Sequence, residues 1–300
     1  MKPIDTLGFI GLGVMGEPMC ANLVAKSGRP VYGTDLRRAP VERLAVAGLK
    51  GCASVVEVAA AADAVFLSLP SGAEVEAVCL GEGGIVAANG RAHTIVDMST
   101  SPPKLMSEIA GRLAARGLTF VDAPVARTRR AARDGTLSIM VGASAAALAA
   151  IRPFLACMGS EITHCGDVGS GQVVKILNNM VLFMTVNALA EALVIARSAG
   201  VDGKLLFDVM AKGSADSFAV RNQGKNALEP GVFPEDAFAT DYALKDIRLA
   251  LELAADGGVA VEAATLTRDL LARTSKAGFG RNYYPVMIKL IESATIGGAG

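Results

Sequence analysis

The chain has 300 residues, 52% of them hydrophobic, and its 29 Lys and Arg residues balance 29 Asp and Glu residues. A chain without net charge does not present the basic face that nucleic-acid binders usually need, so we expect no nucleic-acid partner. The length suits one large domain or two ordinary ones. No signal-type apolar run precedes the first predicted strand, and no apolar run approaches the roughly 20 residues of a bilayer span. We therefore predict a soluble protein with no membrane partner.

Cysteine and histidine usage argues against disulfides and metal sites. The five cysteines are an odd number without CxxC spacing, which favours reduced thiols and a cytoplasmic location. His93 and His164 have no partner at ligand spacing, and metal sites need a cluster of ligands. We therefore predict no metal site.

Up to about residue 165, short β-rich runs alternate with Ala-rich helical stretches, which is the pattern of a parallel α/β sheet. The run Val65-Phe66-Leu67 is continuously apolar, as expected for a strand covered on both faces. Asp134-Gly135 predicts a turn before the last strand of this half, which favours an antiparallel edge. The predicted strands lie at residues 7–10, 31–34, 64–69, 94–96, 119–121 and 138–141.

After Gly171 the strand signals vanish and helical patterns run to the end of the chain. The first of these helices spans roughly 30 residues and begins with GQVVKILNNM at 171–180. Ala199-Gly200-Val201 is typical of a glycine C-cap followed by an apolar contact. We therefore predict two domains, an α/β domain at 1–167 and an all-helical domain at 168–300.

A glycine-rich segment follows the first predicted strand and precedes a helix. It reads Gly11-Leu12-Gly13-Val14-Met15-Gly16, and Asp35 ends the second strand. Glycines there allow a tight turn and let a pyrophosphate approach the helix N-terminus, so the segment predicts a dinucleotide site; an ordinary structural turn is the alternative. Asp35 would accept hydrogen bonds from the ribose hydroxyls and repel a 2′-phosphate, whereas Arg37 and Arg38 could soften that preference. We predict NAD as cofactor, with NADP as a possibility.

Six motifs then carry a resemblance to a known family. They are GLGVMGEPM at 11–19, Leu69-Pro70, DMST at 97–100, DAPV at 122–125, GQVVKILNNM at 171–180 and Lys245-Asp246. With these motifs in this order, essentially the whole chain resembles the β-hydroxyacid dehydrogenase family, which includes 3-hydroxyisobutyrate dehydrogenase. The resemblance implies a Rossmann-type, NAD-binding sheet domain joined by a long helix to an all-α dehydrogenase C-terminal domain. It also implies a homodimer or homotetramer formed through the helical domain.

The resemblance assigns the chemistry to the long helix. It makes Lys175 the catalytic acid/base and places Asn178 and Asn179 against the substrate. The three residues share one helix face at spacings of three and four, so they can point at one ligand. Partial burial would lower the pKa of Lys175 towards the working pH, as proton exchange requires. From the residues alone, a surface lysine on a helix that packs elsewhere is an equal alternative.

The other site residues also come from the resemblance. It places Leu69 and Pro70 under the cofactor, Thr100 near its reactive ring and Ser99 against the substrate. Lys245 matches a lysine that reaches the cofactor from the helical domain. Two alternatives stay open, because 99–102 also fits a helix N-cap and Lys245-Asp246 also fits a solvated charge pair.

The chain departs from the family after DAPV. Where the family usually continues Ser-Gly-Gly, a cradle for the substrate's acid group, this chain reads Ala126-Arg127-Thr128. A guanidinium offers a planar fork to an oxyanion. Arg127 and Thr128 therefore become candidate substrate contacts, and the loop resembles that of the sulfolactaldehyde reductase branch. The alternative is that Arg127 forms a salt bridge with a nearby acid.

These features predict an NAD-dependent oxidoreductase that interconverts a primary alcohol and an aldehyde. The predicted substrate is small and anionic, a carboxylate or sulfonate such as sulfolactaldehyde or an acid semialdehyde. The alternative is a nucleotide-binding or interaction protein on the same fold that has lost catalysis.

Overall fold

Alternating β-rich and Ala-rich segments form one sheet with flanking helices in the first part of the chain. The computed structural model describes residues 2–235 and 237–296. The chain divides into two compact units, the first ending at Lys175 and the second beginning at Ile176. This division falls inside a helix, and the domain boundary at residues 167 and 168 stays a prediction. The predicted fold class, a Rossmann-type sheet domain followed by a helical domain, is confirmed.

Nine strands form the sheet of the first unit. The six predicted strands are present to within two residues at each end, and three short or exposed strands were not predicted. The strands are β1 (Leu7–Ile10), β2 (Val31–Thr34), β3 (Lys50–Gly51), β4 (Ala64–Leu67), β5 (Thr94–Asp97), β6 (Thr119–Asp122), β7 (Val125–Ala126), β8 (Leu137–Gly142) and β9 (Gly159–Gly166).

The sheet order is β3-β2-β1-β4-β5-β6-β8-β7, with β9 paired to β8. Strands β1 to β6 pair in parallel, whereas β8 runs antiparallel to both β6 and β7, so the predicted antiparallel edge is confirmed. The chain reverses direction across the sheet between β1 and β4. Because Ile10 is in register with Leu67, the loops that follow these two strands start side by side. Open α/β sheets bind ligands at this kind of switch point, beyond the carboxyl ends of the strands.

Successive residues of the central strands fill two different cores. Phe9 and Phe66 pack together on one face of the sheet, with their ring centroids 6.4 Å apart. Val65 and Leu67 pack into a second cluster on the other face. Burial on both faces explains the continuously apolar run in β4.

Eight helices cover the sheet and connect its strands. They are α1 (Gly16–Lys26), α2 (Arg38–Ala45), α3 (Val55–Ala61), α4 (Gly72–Leu80), α5 (Ile85–Ala88), α6 (Pro103–Ala114), α7 (Arg129–Asp134) and α8 (Ala145–Leu155).

The long predicted helix, α9, runs from Ser170 to Ser198. It ends as the glycine pattern indicated, because Gly200 has a φ of 76° and the N–H of Val201 donates to Ala196 O at 2.8 Å. Among the described residues, α9 is the one helix long and apolar enough to cross a membrane, with a mean hydropathy of 1.7 over 18 residues. That is weak evidence for a membrane span, because a core helix of a globular protein meets the same criterion.

The second unit is helical in its described residues and has its own apolar core. Phe183, Phe207 and Tyr284 are among its fully buried side chains. Its helices after α9 are α10 (Gly203–Met210), α11 (Thr240–Asp256), α12 (Glu262–Thr274) and α13 (Ile288–Ile296), with π-helical turns at Val220–Leu228 and Ser275–Phe279 and a 3₁₀ turn at Tyr284–Met287.

Candidate active site

Glycines shape the loop between β1 and α1. Gly11 has a φ of 90°, and a Cβ added there would collide with the carbonyl oxygen of Ser68. A Cβ on Gly16 would collide with the carbonyl oxygen of Gly11. At Gly13, by contrast, no described atom lies within 4 Å of an added Cβ, apart from its chain neighbours. The loop thus presents an open cradle at the start of α1, and the residues present fit a dinucleotide pyrophosphate.

Asp35 lies just beyond β2 and holds the glycine loop in place. Its Oδ2 accepts a hydrogen bond from Leu12 N at 2.6 Å, and its Oδ1 accepts from Arg37 N at 2.8 Å and Nε at 3.2 Å. Arg37 also donates to Leu12 O at 3.1 Å. Burial alone would raise the pKa of Asp35, but these hydrogen bonds hold it below its usual value. The group is therefore a carboxylate at neutral pH, and about one of its roughly four acceptor positions, on Oδ2, is left for a ribose hydroxyl.

Ser99 connects the loops that follow β4 and β5. It is buried, and its Oγ accepts a hydrogen bond from Leu69 N at 2.9 Å. The N-cap alternative fails here, because α6 begins at Pro103 and its N-cap residue, Pro102, makes no side-chain cap. Thr100 is half-buried beside Ser99. The structure thus places Ser99, Thr100 and Leu69 at the carboxyl edge of the sheet, where the resemblance implies a substrate contact for Ser99 and cofactor contacts for the other two.

Helix α9 begins at the same edge, fixed by a buried carboxylate. Asp122, the last residue of β6, accepts hydrogen bonds from Gly169 N at 2.6 Å and Gln172 N at 2.9 Å. The side chain of Gln172 donates to Ser99 O at 2.9 Å and accepts from Ser101 N at 3.1 Å. Burial raises the pKa of Asp122 to about 6, although the N–H donors oppose that shift. At neutral pH the helix start is therefore held by an anion, which helix N-termini favour.

Lys175 lies on α9 three residues after Gln172. Only 8% of the residue is exposed. The surface-lysine alternative is therefore wrong. Lysine is almost never buried to this extent without a partner, which favours a role inside the protein. Lys175 belongs to the same unit as the glycine loop, and the helix that carries it starts at the carboxyl edge of the sheet.

Further along α9, in the second unit, two asparagines differ in exposure. Asn179 is 4% exposed, whereas Asn178 faces solvent. The amide of Asn179 donates to Asp246 Oδ2 at 2.7 Å and accepts from Asn178 Nδ2 at 3.1 Å. Lys245 Nζ lies 3.3 Å from Asp246 Oδ1. The charge pair of the alternative for Lys245-Asp246 is therefore present, although its carboxylate is buried rather than solvated, and the contact of Lys245 with the cofactor stays a prediction.

The loop after β7 holds Arg127 in an unusual backbone conformation. Its φ is 88°, a left-handed value that favours glycine, the residue that the family usually has there. The exposed guanidinium donates through Nη1 to Thr136 O at 2.6 Å and to Ser160 Oγ at 3.1 Å. Thr128 caps α7, since its Oγ1 accepts from Ala131 N at 3.3 Å. The salt-bridge alternative for Arg127 is not seen among the described ion pairs, and its contact with substrate stays a prediction.

Sequence reasoning missed three residues of this region. Asp122 and Gln172 stand in motifs of the resemblance but have no predicted role, and Asp246 is predicted only as the neighbour of Lys245. Two signals could have found them: a carboxylate that ends an otherwise apolar strand, and a glutamine in the apolar first turn of a helix. Each needs a buried partner, which a single sequence does not identify.

Comparisons with known proteins agree with this fold. A family model described as the NAD binding domain of 6-phosphogluconate dehydrogenase matches residues 6–166, and one described as the NAD-binding of NADP-dependent 3-hydroxyisobutyrate dehydrogenase matches residues 169–291. The chain is 38% identical to 2-(hydroxymethyl)glutarate dehydrogenase of Eubacterium barkeri, over 98% of this chain and 97% of that one. It is 37% identical to 3-hydroxyisobutyrate dehydrogenase of Pseudomonas aeruginosa, over 90% and 92%. A structure of 3-hydroxyisobutyrate dehydrogenase from Mycobacterium tuberculosis with L-serine superposes with a TM-score of 0.83 at 31% identity, covering 96% of this chain and 99% of that one.

The fold, the glycine cradle and these matches define an NAD(P)-dependent oxidoreductase that acts on a CH–OH group. The predicted enzyme class and cofactor class are confirmed. More narrowly, the chain belongs to the β-hydroxyacid dehydrogenase family.

Proposed function

We propose that this enzyme is a 3-hydroxyacid-type dehydrogenase that uses NAD to interconvert a primary alcohol and an aldehyde on a short anionic substrate. The observation that carries the proposal is buried Lys175 on a helix whose first turn is bonded to Ser99 and Ser101, beside the predicted cofactor contacts. The names of two relatives support the substrate class. Both 2-(hydroxymethyl)glutarate and 3-hydroxyisobutyrate carry a CH₂OH group β to a carboxylate carbon.

A bound nicotinamide supplies the hydride acceptor for oxidation and the hydride donor for reduction. During oxidation the neutral amine of Lys175 takes the proton from the substrate hydroxyl as hydride leaves the same carbon. During reduction the ammonium returns that proton to the carbonyl oxygen, which stabilises the developing negative charge. Asn179 is one turn further along α9, and its contact with Asp246 fixes which way its amide points, so it can orient the substrate oxygen.

For the acid group of the substrate we propose Arg127. The two hydrogen bonds described for its guanidinium both come from Nη1, so the edge formed by Nε and Nη2 can face an oxyanion. The guanidinium replaces a small neutral cradle, which supports a strongly anionic acid group on the substrate. Sulfonate and carboxylate both remain candidates for that group. Sulfolactaldehyde and acid semialdehydes are the substrates to test first. We further propose that the enzyme is a cytoplasmic homodimer or homotetramer assembled through its helical unit.

The test is a screen of short aldehyde acids and aldehyde sulfonates with NADH and NADPH, read by absorbance of the reduced cofactor. On the best substrate, Lys175→Ala should lower kcat by about 10²–10⁴-fold while NADH still binds, because general acid–base groups contribute that much. Lys204→Ala, which removes an exposed lysine from α10, is the matched control and should keep its rate. A fall of less than about tenfold in Lys175→Ala would remove the lysine from its role as acid/base.

A further inference from the structure

Gln172 is a polar side chain in the first turn of α9 with no solvent exposure. Its amide bonds to one short backbone segment twice, donating to Ser99 O at 2.9 Å and accepting from Ser101 N at 3.1 Å. A side-chain amide thus pairs with the main chain as a neighbouring strand would. The pairing uses the donor and the acceptor together, so it fixes both the distance and the orientation of the helix relative to residues 99–101.

The backbone of the same turn is fixed independently by Asp122. This carboxylate is fully buried and accepts from Gly169 N and Gln172 N. A Cβ on Gly171 would lie 2.6 Å from Asp122 Oδ2 and 2.5 Å from Met140 O, which leaves no room for a side chain. The start of the helix therefore packs against the sheet in one fixed position. From that position the Gln172 side chain extends to the loop after β5.

This connection joins the two halves of the proposed chemistry inside one unit. Ser99 also receives the N–H of Leu69, so residues 69 and 99–101 form one hydrogen-bonded layer at the edge where the cofactor is expected. Lys175 lies three residues beyond Gln172, and residues at this spacing share a helix face. Gln172 is thus the side chain that ties the cofactor side of the site to the turn that carries the acid/base.

We propose that Gln172 is a positioning residue that sets the separation between the reacting carbon and the Lys175 amine. The proposal rests on the proposed function, because it takes Lys175 as the acid/base. A displacement of about 1 Å between reacting groups can cost about 10²-fold in rate. Loss of the Gln172 contacts should therefore slow the chemical step without weakening the binding of cofactor or substrate.

The experiment uses the full-length enzyme with Gln172→Met, which keeps the length of the side chain but removes its donor and acceptor. The measurements are kcat, the substrate KM, the Kd for NADH by fluorescence, and the primary isotope effect with NADH deuterated at the transferred position. We expect kcat to fall about 10–100-fold, KM and Kd to stay within about threefold, and the isotope effect on kcat to rise as hydride transfer becomes rate-limiting.

Gln223→Met is the matched control, because Gln223 is also buried, at 5% exposure, but lies in the second unit. It should lower the melting temperature and leave the isotope effect unchanged, since a smaller folded fraction scales the rate without changing the rate-limiting step. If Gln172→Met does not fold, Gln172→Glu keeps the shape and places an acceptor against Ser99 O, so it should give the same slow step.

Two results would overturn the inference. One is a folded Gln172 variant with the kcat and isotope effect of the parent enzyme while Lys175→Ala is inactive, which refutes the positioning role alone. The other is a Lys175→Ala enzyme that keeps its turnover, which refutes the proposed function and the inference together.

Discussion

Replacing Arg127 by Ala tests how the enzyme recognises the acid group of its substrate. The guanidinium holds Thr136 O and Ser160 Oγ through Nη1, and its remaining edge is the proposed anion contact. Hydrogen bonds to a charged group contribute about 1.5–3 kcal/mol. Since about 1.4 kcal/mol corresponds to tenfold, KM should rise by about 10–150-fold, while the affinity for NAD should change little. Arg127→Lys should recover little of this loss, because an ammonium cannot reproduce the planar fork.

The assay is steady-state kinetics on paired sulfonate and carboxylate aldehydes, run well below the melting temperature. That precaution matters because the variant keeps the strained φ of 88° and loses the two hydrogen bonds that Arg127 makes. Arg130→Ala is the control, since Arg130 is a neighbouring, highly exposed arginine paired with Asp134. An unchanged KM in Arg127→Ala would make Arg127 a loop-stabilising residue and remove the main support for the sulfonate branch. A loss confined to sulfonates would fix the substrate class instead.

Two further predictions concern buried or half-buried carboxylates. The enzyme should have a higher kcat/KM with NAD than with NADP on one substrate, because Asp35 repels a 2′-phosphate. Equal values for the two cofactors would mean that Arg37 binds the phosphate. Asp63→Ala should lower the free energy of unfolding by about 2–3 kcal/mol in urea titrations at neutral pH, because Asp63 accepts from the main chain and hydroxyl of Thr6 and from Arg91. Burial alone would raise the pKa of Asp63, but these hydrogen bonds hold it below its usual value, so its contribution should be lost as pH falls below about 4 and the two proteins should then converge.

Much of the fold could be predicted because its signals are local. Strands β1 and β4 and the glycine loop at 11–16 can each be recognised from a few consecutive residues. Strand β9 could not be found in this way, since half of its residues are exposed and its pairing with β8 is a tertiary contact. Strands β3 and β7 have two residues each, which is too short for any periodicity.

The residues of the candidate site likewise divide into those that a local motif indicates and those that depend on long-range contacts. The resemblance indicated Lys175, and its burial agrees with a role inside the protein. The residues that hold it in place were not predicted, because Asp122 is 50 positions from Gln172 in the sequence and Gln172 is 73 positions from Ser99. Long-range polar pairs carry no sequence period, so they become visible only when the chain is folded.

The fixed packing of the start of α9 against the sheet limits which sequence changes this enzyme can accept as it evolves. A helix turns by about 100° per residue, so an insertion or deletion of one residue between Gln172 and Lys175 would swing the lysine to another side of the helix. With Gly171 fitted against Asp122 and Met140, the helix cannot rotate back to compensate. Length changes are therefore forbidden in this turn, whereas replacing the exposed Arg127 in the loop after β7 removes two hydrogen bonds but leaves the register of α9 unchanged. New substrates should be reached by substitution in that loop, with the acid/base kept in a fixed register.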